Sequence, residues 1–298
     1  MTDTGMMKAV VFDRYGGPER LTLSDVPVPE PGAGEVRVAV HASTVGRTDT
    51  ATLRAHPWFA RLMTGLIRPK MRTLGMDFAG VIDAVGSGVS AFRPGDRVFG
   101  MVPDVYGAHA EYLCLPADGA IAAIPGALPF DQAVVGEGAL YAHGTAELLA
   151  EGDRCLVYGA SGAIGTAVVQ LAKARGAEVT AVVGTRHLQM AESLGADRVI
   201  NYETGDFTAI GETFDLVLDA VGKTSWFACR KLLKPKGIYC ATDLGPGWSN
   251  IWLSLWHQVT GKKRVRIPFP QDAAEFLPQL AGLMAAGQFR GCLTAATR

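Results

Sequence analysis

Two short stretches of this 298-residue chain carry residues whose type and spacing suit chemistry. The first is "VYGASGAIG", with Gly159, Gly162 and Gly165 three residues apart. A buried strand-like run, "CLVYGA", leads into it, and "AIGTAVVQLAKARG" follows with helical spacing and stops at Gly176. G-x-x-G-x-x-G between strand and helix is a variant of the dinucleotide fingerprint. It allows a tight turn, a backbone that can approach a pyrophosphate, and close helix–sheet packing. The backbone from Ser161 through Gly162, Ala163 and Ile164 then offers free N–H groups at a helix N-terminus, where the dipole also favours an anion. The alternative is a structural turn with no ligand.

The choice of dinucleotide rests on the end of the next strand. An Asp or Glu about 20 residues past the glycines would hold a ribose 2′-OH and repel a 2′-phosphate. The strand "EVTAVVG" ends at Gly184, nineteen residues after Gly165, and Thr185, Arg186 and His187 follow. A hydroxyl and a guanidinium suit a phosphate. The expected cofactor is therefore NADPH rather than NADH, although Arg186 also fits a solvated charge in a first helical turn.

The second stretch is "TVGRTDT", Thr44 to Thr50, a polar loop after the strand-like "EVRVAVHAS". It has no cysteine and no histidine, so its donors are Arg47, Thr48 and Thr50. Hydride delivery to an acceptor builds negative charge on a substrate oxygen, and such charge needs placed hydrogen-bond donors. Arg47 could stabilise an enolate or bind a cofactor phosphate. It could equally pair with Asp49 and only hold the loop in shape. Thr44, at the start of the loop, is a candidate for the substrate pocket.

The elements that must hold these residues fall into two halves. Up to about residue 125, short runs such as "KAVVFD", "LTLSDVP", "EVRVAVHA", "DFAGVIDAVG", "DRVFGM" and "AHAEYLCLP" read as strands punctuated by Gly/Pro turns, a barrel-like or sandwich-like β-rich domain. "AHPWFARLMTGLIRPK" breaks that pattern, either as a helical flap at a ligand mouth or as packing on the barrel. After the Pro/Gly joint "AIPGALPFDQA", strands alternate with helices: strand "EVTAVVG", helix "RHLQMAESLG", strands "RVINY" and "DLVLDAVG", helix "SWFACRKLLKPKG", strand "GIYCATD". That alternation is the signature of a doubly wound parallel sheet in an α/β fold. "DAAEFLPQLAGLMAAGQF" reads as a late helix that Pro278 kinks or delimits.

Composition limits the function classes. The chain is 48% hydrophobic with mean hydropathy +0.17, enough for a large core and about two domains. A net charge of −1 gives no reason to expect a nucleic-acid groove. Cys114, Cys155, Cys229, Cys240 and Cys292 form no CxxC pair and read as reduced thiols of a cytoplasmic protein. No signal-peptide pattern opens the chain, and no apolar run is long enough to insert stably in a membrane.

Taken in order, "MKAVVFDRYGGPERLTL", "PEPGAGEVRVAVHAS", "LGMDFAGVIDAVGSGVSAFRPGDRVFG", "GAHAEYLCLP", "VYGASGAIGTAVVQLAKARGAEVTAV", "LGADRVINY" and "DLVLDAVG" resemble the medium-chain dehydrogenase/reductase superfamily. The closest likeness is to its zinc-free quinone-oxidoreductase branch. The resemblance implies a GroES-like catalytic domain over residues 1–125, with 270–298 as a return segment, and a Rossmann cofactor domain over 126–269, the active site lying in the cleft. It implies hydride transfer from NADPH to a quinone, an activated alkene or a carbonyl, in a homo-oligomer, here expected to be a homodimer. It places Tyr202 of "INY" on the 2′-phosphate, Ala220 and Val221 of "DAVG" along the nicotinamide half, and Thr242 beside them. Thr48 corresponds to a proton-relay hydroxyl of the zinc branch. Tyr141 of "EGALYAHG" takes the place of a threonine common near the nicotinamide and joins the substrate-pocket candidates.

Departures from the pattern matter as much. The zinc branch has cysteine and histidine where this chain has Gly46 and Arg47, and Gly-His-Glu where it reads Gly75-Met76-Asp77. Zn²⁺ needs three or four Cys, His or carboxylate ligands, so no zinc is expected and Asp77 reads as structural. After "AAGQFR" the family continues for a few dozen residues. The ending "GCLTAATR" does not resemble that continuation, so an incomplete return segment and lowered stability are expected. Trp248, Trp252 and Trp256 at a spacing of four share one helical face, fit for a substrate pocket or a dimer interface. "KKRVR" after them raises a weaker possibility of contact with an anionic membrane, and "RVRIPF" is a candidate strand across a dimer two-fold. A catalytically silent, crystallin-like NADPH-binding protein is the competing function, and a zinc alcohol dehydrogenase a third.

Overall fold

A computed structural model describes residues 5–103, 106–260, 264–268 and 272–292. The chain forms two compact units. The first contains residues up to Glu137 together with Ala273–Ala285. The second contains Gly138–Asp272 with Ala286–Cys292.

In the first unit, β1 (Met6–Val11) and β2 (Thr22–Pro27) make an antiparallel ribbon. β3 (Glu35–Ser43) is followed by helices α1 (Arg47–Arg54) and α2 (Arg61–Thr64), then β4 (Asp77–Val85), β5 (Arg97–Met101), β6 (Tyr112–Pro116) and β7 (Ile121–Ala123). The last five strands form an antiparallel sheet in the order β6-β3-β4-β5-β7. Alternation along these strands turns Val36, Val38, Phe78, Ile82, Val98, Leu113 and Leu115 into one apolar cluster. α3 (Phe130–Ala133) packs on β3 and β4, so the chain leaves this unit at Glu137 rather than at the Pro/Gly joint near residue 125.

The polar stretch "TVGRTDT" is not all loop. From Arg47 it is the first turn of α1. Asp49, at the third helical position, accepts the N–H of Gly46 at 2.8 Å. That reach back to the residue before the helix is half of a capping box. The segment after α1 stays irregular, with a short 3₁₀ turn at Trp58–Ala60 and one helical turn at α2.

α4 (Gly136–Ala146) leads into the second unit, where strands and helices alternate: β8 (Arg154–Tyr158), α5 (Ala163–Ala174), β9 (Glu178–Val183), α6 (Leu188–Ser193), β10 (Arg198–Asn201), β11 (Phe214–Asp219), α7 (Trp226–Cys229), β12 (Leu233–Ala241), α8 (Ser249–Thr260) and β13 (Arg264–Arg266). All six strands are parallel, in the order β10-β9-β8-β11-β12-β13. This is the doubly wound order in which the direction of winding reverses between the first and fourth strands, here β8 and β11. β13 pairs with β12 at the sheet edge.

The helix expected over "SWFACRKLLKPKG" is only one turn of α7 and a 3₁₀ turn. Pro235 cannot continue a helix and drives the residue before it toward extended backbone. Leu233 therefore already pairs with Phe214, and a register shift absorbs residues 234–237 before Ile238 pairs with Leu216. Trp248 precedes α8 with φ +64°, so only Trp252 and Trp256 share a helical face, and both are mostly exposed. The chain returns to the first unit as α9 (Ala273–Ala285), packed on β7. Pro278 lies inside that helix rather than ending it. Lys262 and Lys263 of "KKRVR", and residues 269–271 and 293–298 of the expected "RVRIPF" strand and return segment, lie outside the described residues. No described helix is long and apolar enough to cross a membrane.

The turn after β11 hangs on one side chain. Asp219 is fully buried, and its carboxylate accepts the N–H groups of Val221, Gly222, Lys223 and Thr224 at 2.8–3.4 Å. Asp219→Ala orphans these donors and should cost about 2–4 kcal/mol, while Asp219→Asn, which keeps one acceptor oxygen, should cost less. Urea unfolding of the two variants measures the difference.

Candidate functional site

In the second unit, the three fingerprint glycines do separate work. Gly159 has φ +80°, and a Cβ there would also sit 2.6 Å from a Val221 methyl. A Cβ on Gly165 would overlap the Gly159 carbonyl oxygen and approach the Ala160 Cα to 2.7 Å, so α5 can lie this close to β8 only without a side chain. At Gly162 a Cβ would meet nothing closer than 3.6 Å, which leaves its face open. Gly162 caps α5 in extended conformation with no side-chain hydrogen bond. The first N–H groups of α5, from Ala163, Ile164 and Gly165, have no partner within the helix. They are suited to an anionic group, and Ser161 sits in the turn before them. These residues fit the pyrophosphate of a dinucleotide.

The ends of β9, β10 and β11 bring the other cofactor candidates to the same edge of the sheet. The pairing of Asn201 with Val183 sets Tyr202 and Glu203 beside Gly184 and Thr185. A Cβ on Gly184 would be 3.0 Å from the Tyr202 hydroxyl and 2.6 Å from Glu203 Oε1. Thr185 donates its hydroxyl to Glu203 Oε2 at 2.6 Å and accepts from Asn201 Nδ2 at 2.9 Å. The Thr185 hydroxyl holds the Glu203 carboxyl below its ordinary range. Arg186 is exposed. Sequence reading missed Glu203, because it searched for an acid on β9 itself, and this one arrives from the neighbouring strand. On the β11 side, Asp219 shapes the turn that sets Ala220 and Val221 next to Gly159. Thr242 follows β12 and bonds back to the Asp219 carbonyl through its N–H at 3.1 Å.

The first unit gathers a separate group of buried acids. Asp49, in α1, is 2% exposed and bridges two loops: Oδ2 accepts Gly46 N–H at 2.8 Å and Oδ1 accepts Gly75 N–H at 2.9 Å. Asp77, opening β4, is equally buried. Its Oδ1 accepts Glu137 N–H at 2.8 Å and its Oδ2 accepts the Thr44 hydroxyl at 3.2 Å. Glu137 in turn accepts the hydroxyl of Thr48. His109 Nε2 bonds the Thr44 carbonyl at 2.8 Å.

Burial pushes the Asp77 carboxyl up to about 8, and the neighbouring Glu137 adds to the rise against the two hydrogen bonds that favour the anion. Glu137 is raised by burial as well, with Asp49 contributing and Thr48 opposing. Glu137 was not among the sequence candidates. Its only signal was an acid beside glycines at the start of α4.

This donor set does not suit zinc. Both oxygens of Asp49 and of Asp77 are engaged by N–H or O–H donors. A Cβ on Gly46 would lie 2.9 Å from Glu137 Oε2, so a carboxylate fills the space a ligand side chain there would need. Among the described residues no three His, Cys, Asp or Glu side chains are grouped as a metal cage.

The remaining candidates belong to both units. Thr48 is in the acid group, and Thr44 is tied to Asp77. Arg47 is exposed at the first position of α1. Tyr141 belongs to α4 in the second unit, and Trp252 lies with Leu255 and Trp256 on an exposed stripe of α8.

A buried acid with a raised folded-state value keeps a proton that the unfolded chain releases. The stability this supplies is present below pH ~4 and is lost as pH rises through the window up to about 8. Asp77→Asn has no proton to lose there. Its stability relative to the unmodified chain should rise by at least ~2 kcal/mol between pH 5 and pH 8. Denaturant unfolding at the two pH values checks this. A constant difference would mean that Asp77 is ionised in the fold.

Comparison with known proteins agrees with this anatomy. Residues 32–126 match the alcohol dehydrogenase GroES-like domain, and residues 163–261 match the cofactor-domain model described as zinc-binding dehydrogenase. A chloroplastic quinone-oxidoreductase, QR1, of Triphysaria versicolor is 30% identical over 306 residues, covering 96% of this chain and 89% of that protein. A trans-enoyl reductase of Aspergillus terreus, pgmF, is 34% identical over 245 residues, covering 76% of this chain and 67% of its own length. The solved quinone oxidoreductase of Coxiella burnetii superposes with a TM-score of 0.79 at 30% identity, over 95% of this chain and 89% of that one. With a GroES-like unit, a parallel Rossmann unit and relatives of this kind, the chain belongs to the medium-chain dehydrogenase/reductase superfamily, in its quinone-oxidoreductase-like branch.

Proposed function

We propose that the protein is an NADPH-dependent reductase that delivers hydride to a quinone, an activated alkene or a carbonyl, without zinc. One observation carries the reading: the Gly159–Gly165 turn opens an uncapped helix N-terminus beside the switch from β8 to β11. Bound reduced nicotinamide would supply the hydride. The chain's own part is to bind and orient that donor and to manage charge and proton at the acceptor. Ser161 to Gly165 hold the pyrophosphate. When it is bound, Thr185, Arg186 and Tyr202 would serve the adenosine ribose, and Ala220, Val221 and Thr242 would serve the nicotinamide side.

For the proton, Thr48 is the candidate donor. Its hydroxyl is bonded to Glu137, which burial keeps protonated to higher pH than a free glutamate. The Thr48 hydroxyl would give its proton to the substrate oxygen, and Glu137 would refill it. Metal-free chemistry is favoured because the oxygens of Asp49 and Asp77 are already engaged by donors.

A panel of quinones, enones and aldehydes with NADPH and NADH side by side tests the core reading by following cofactor oxidation. Turnover with NADPH at the higher kcat/KM is expected. Binding of NADPH without turnover of any member would make the protein a silent binder. Thr48→Val and Glu137→Gln should each lower kcat by about 10²-fold with little change in the KM for NADPH. In the unmodified enzyme kcat should fall as rising pH removes the Glu137 proton, at a higher pH than a free glutamate would lose it, and Glu137→Gln should flatten that limb. Metal analysis of the active protein should find no stoichiometric zinc, and incubation with a chelator should leave the rate unchanged.

A further inference from the structure

The end of β9 carries two opposed chemical instructions. Thr185 and Arg186 suit a 2′-phosphate, yet the Thr185 hydroxyl donates to a carboxylate, Glu203 Oε2, at 2.6 Å. The other oxygen of that carboxylate lies 2.6 Å from where a Gly184 side chain would begin. In a doubly wound sheet of this order, the end of the second strand is where the adenosine ribose meets the protein, and an acid there accepts the 2′-OH. Here the second strand is β9, and the acid reaches the same point from the end of β10. We propose that Glu203 is a selectivity residue of the ribose site, holding a carboxylate where a 2′-OH is accepted and a 2′-phosphate is repelled. The assignment rests on the dinucleotide reading above and deepens it.

Three features make Glu203 more than a surface acid resting near the site. Its main chain is fixed, because its N–H donates to Asn201 Oδ1 at 2.9 Å. Its side chain is fixed, because Asn201 Nδ2 also donates to Thr185 and so turns the Thr185 proton toward the carboxylate. Asn201 thus orients both partners. Finally, while the pair stands, the Thr185 proton is not available to a phosphate oxygen, and a fixed negative charge faces the place where the phosphate would carry its own. Arg186 acts on Glu203 as nearby positive charge, in the same sense as Thr185. Admitting a phosphate means drawing that cation from one anion to another, whereas a ribose hydroxyl adds a donor to a carboxylate that can accept it. Arg186 therefore sets a preference for NADPH, and Glu203 limits its size.

Titration of the full chain with NADPH and NADH separately, without substrate and read by nicotinamide fluorescence, tests this. Glu203→Gln keeps the size of the side chain and an acceptor for Thr185 while removing the charge. It should shift the ratio of the two dissociation constants tenfold or more toward NADPH, mainly through tighter NADPH binding. Glu203→Ala should move the ratio in the same direction. A ratio within twofold of the unmodified chain in both variants, with both cofactors still bound, would overturn the role of Glu203 and leave the dinucleotide reading standing. If the unmodified chain binds neither cofactor, the dinucleotide reading fails and the assignment fails with it. If the unmodified chain prefers NADH and Glu203→Gln reverses this, Glu203 is confirmed as the selector and the NADPH preference is withdrawn.

Discussion

Everything the second unit offers to a ligand depends on how closely α5 approaches β8. Gly165 has no side chain, so the helix rests against the Gly159 carbonyl and the Ala160 backbone. Add one carbon and the helix must withdraw, taking its first N–H groups with it. The same closeness places Gly159 against Val221 at the end of the neighbouring strand. Asp219, inside the turn after β11, then fixes where Val221 stands by holding four backbone N–H groups. The two strands that flank the reversal of winding are thus coupled through contacts with no tolerance for bulk.

The first unit is organised by a different constraint, the burial of acids. Asp49, Asp77 and Glu137 sit among Thr44, Thr48 and main-chain amides. Desolvation in such a place exceeds what two hydrogen bonds return, so Asp77 keeps its proton into the neutral range. Gly46 belongs to the same packing, since its missing side chain makes room for Glu137.

Most of the second unit was legible from the sequence because its elements are long and periodic and end at glycine. The fingerprint lay between a strand and a helix, as its physics requires. What stayed hidden was non-local. Glu203 is eighteen residues beyond Thr185, and only the β9–β10 register brings the two together. Glu137 lies 89 residues from Thr48 in sequence, and no spacing rule connects them. "RTDT" has no apolar stripe to mark α1, and its one local signal is a single acid at the third helical position. The helix expected over residues 225–237 is shorter because Pro235 turns the chain to extended backbone before the closing glycine is reached.

The two bonds of Asp49 also bear on how such a protein can change over evolutionary time. They join Gly46 to Gly75 directly, and the intervening chain, with the exposed Trp58, Leu62, Leu66 and Ile67, makes an excursion that leaves and returns at a closed gate. Loops closed at their base are cheap to lengthen, because the cost of closure grows only slowly with length. Tyr15 also holds Thr64 and Gly65, so length can change most cheaply between these ties while α1, with Thr48, keeps its place. The length of the excursion is thus set apart from the position of the acids at its base.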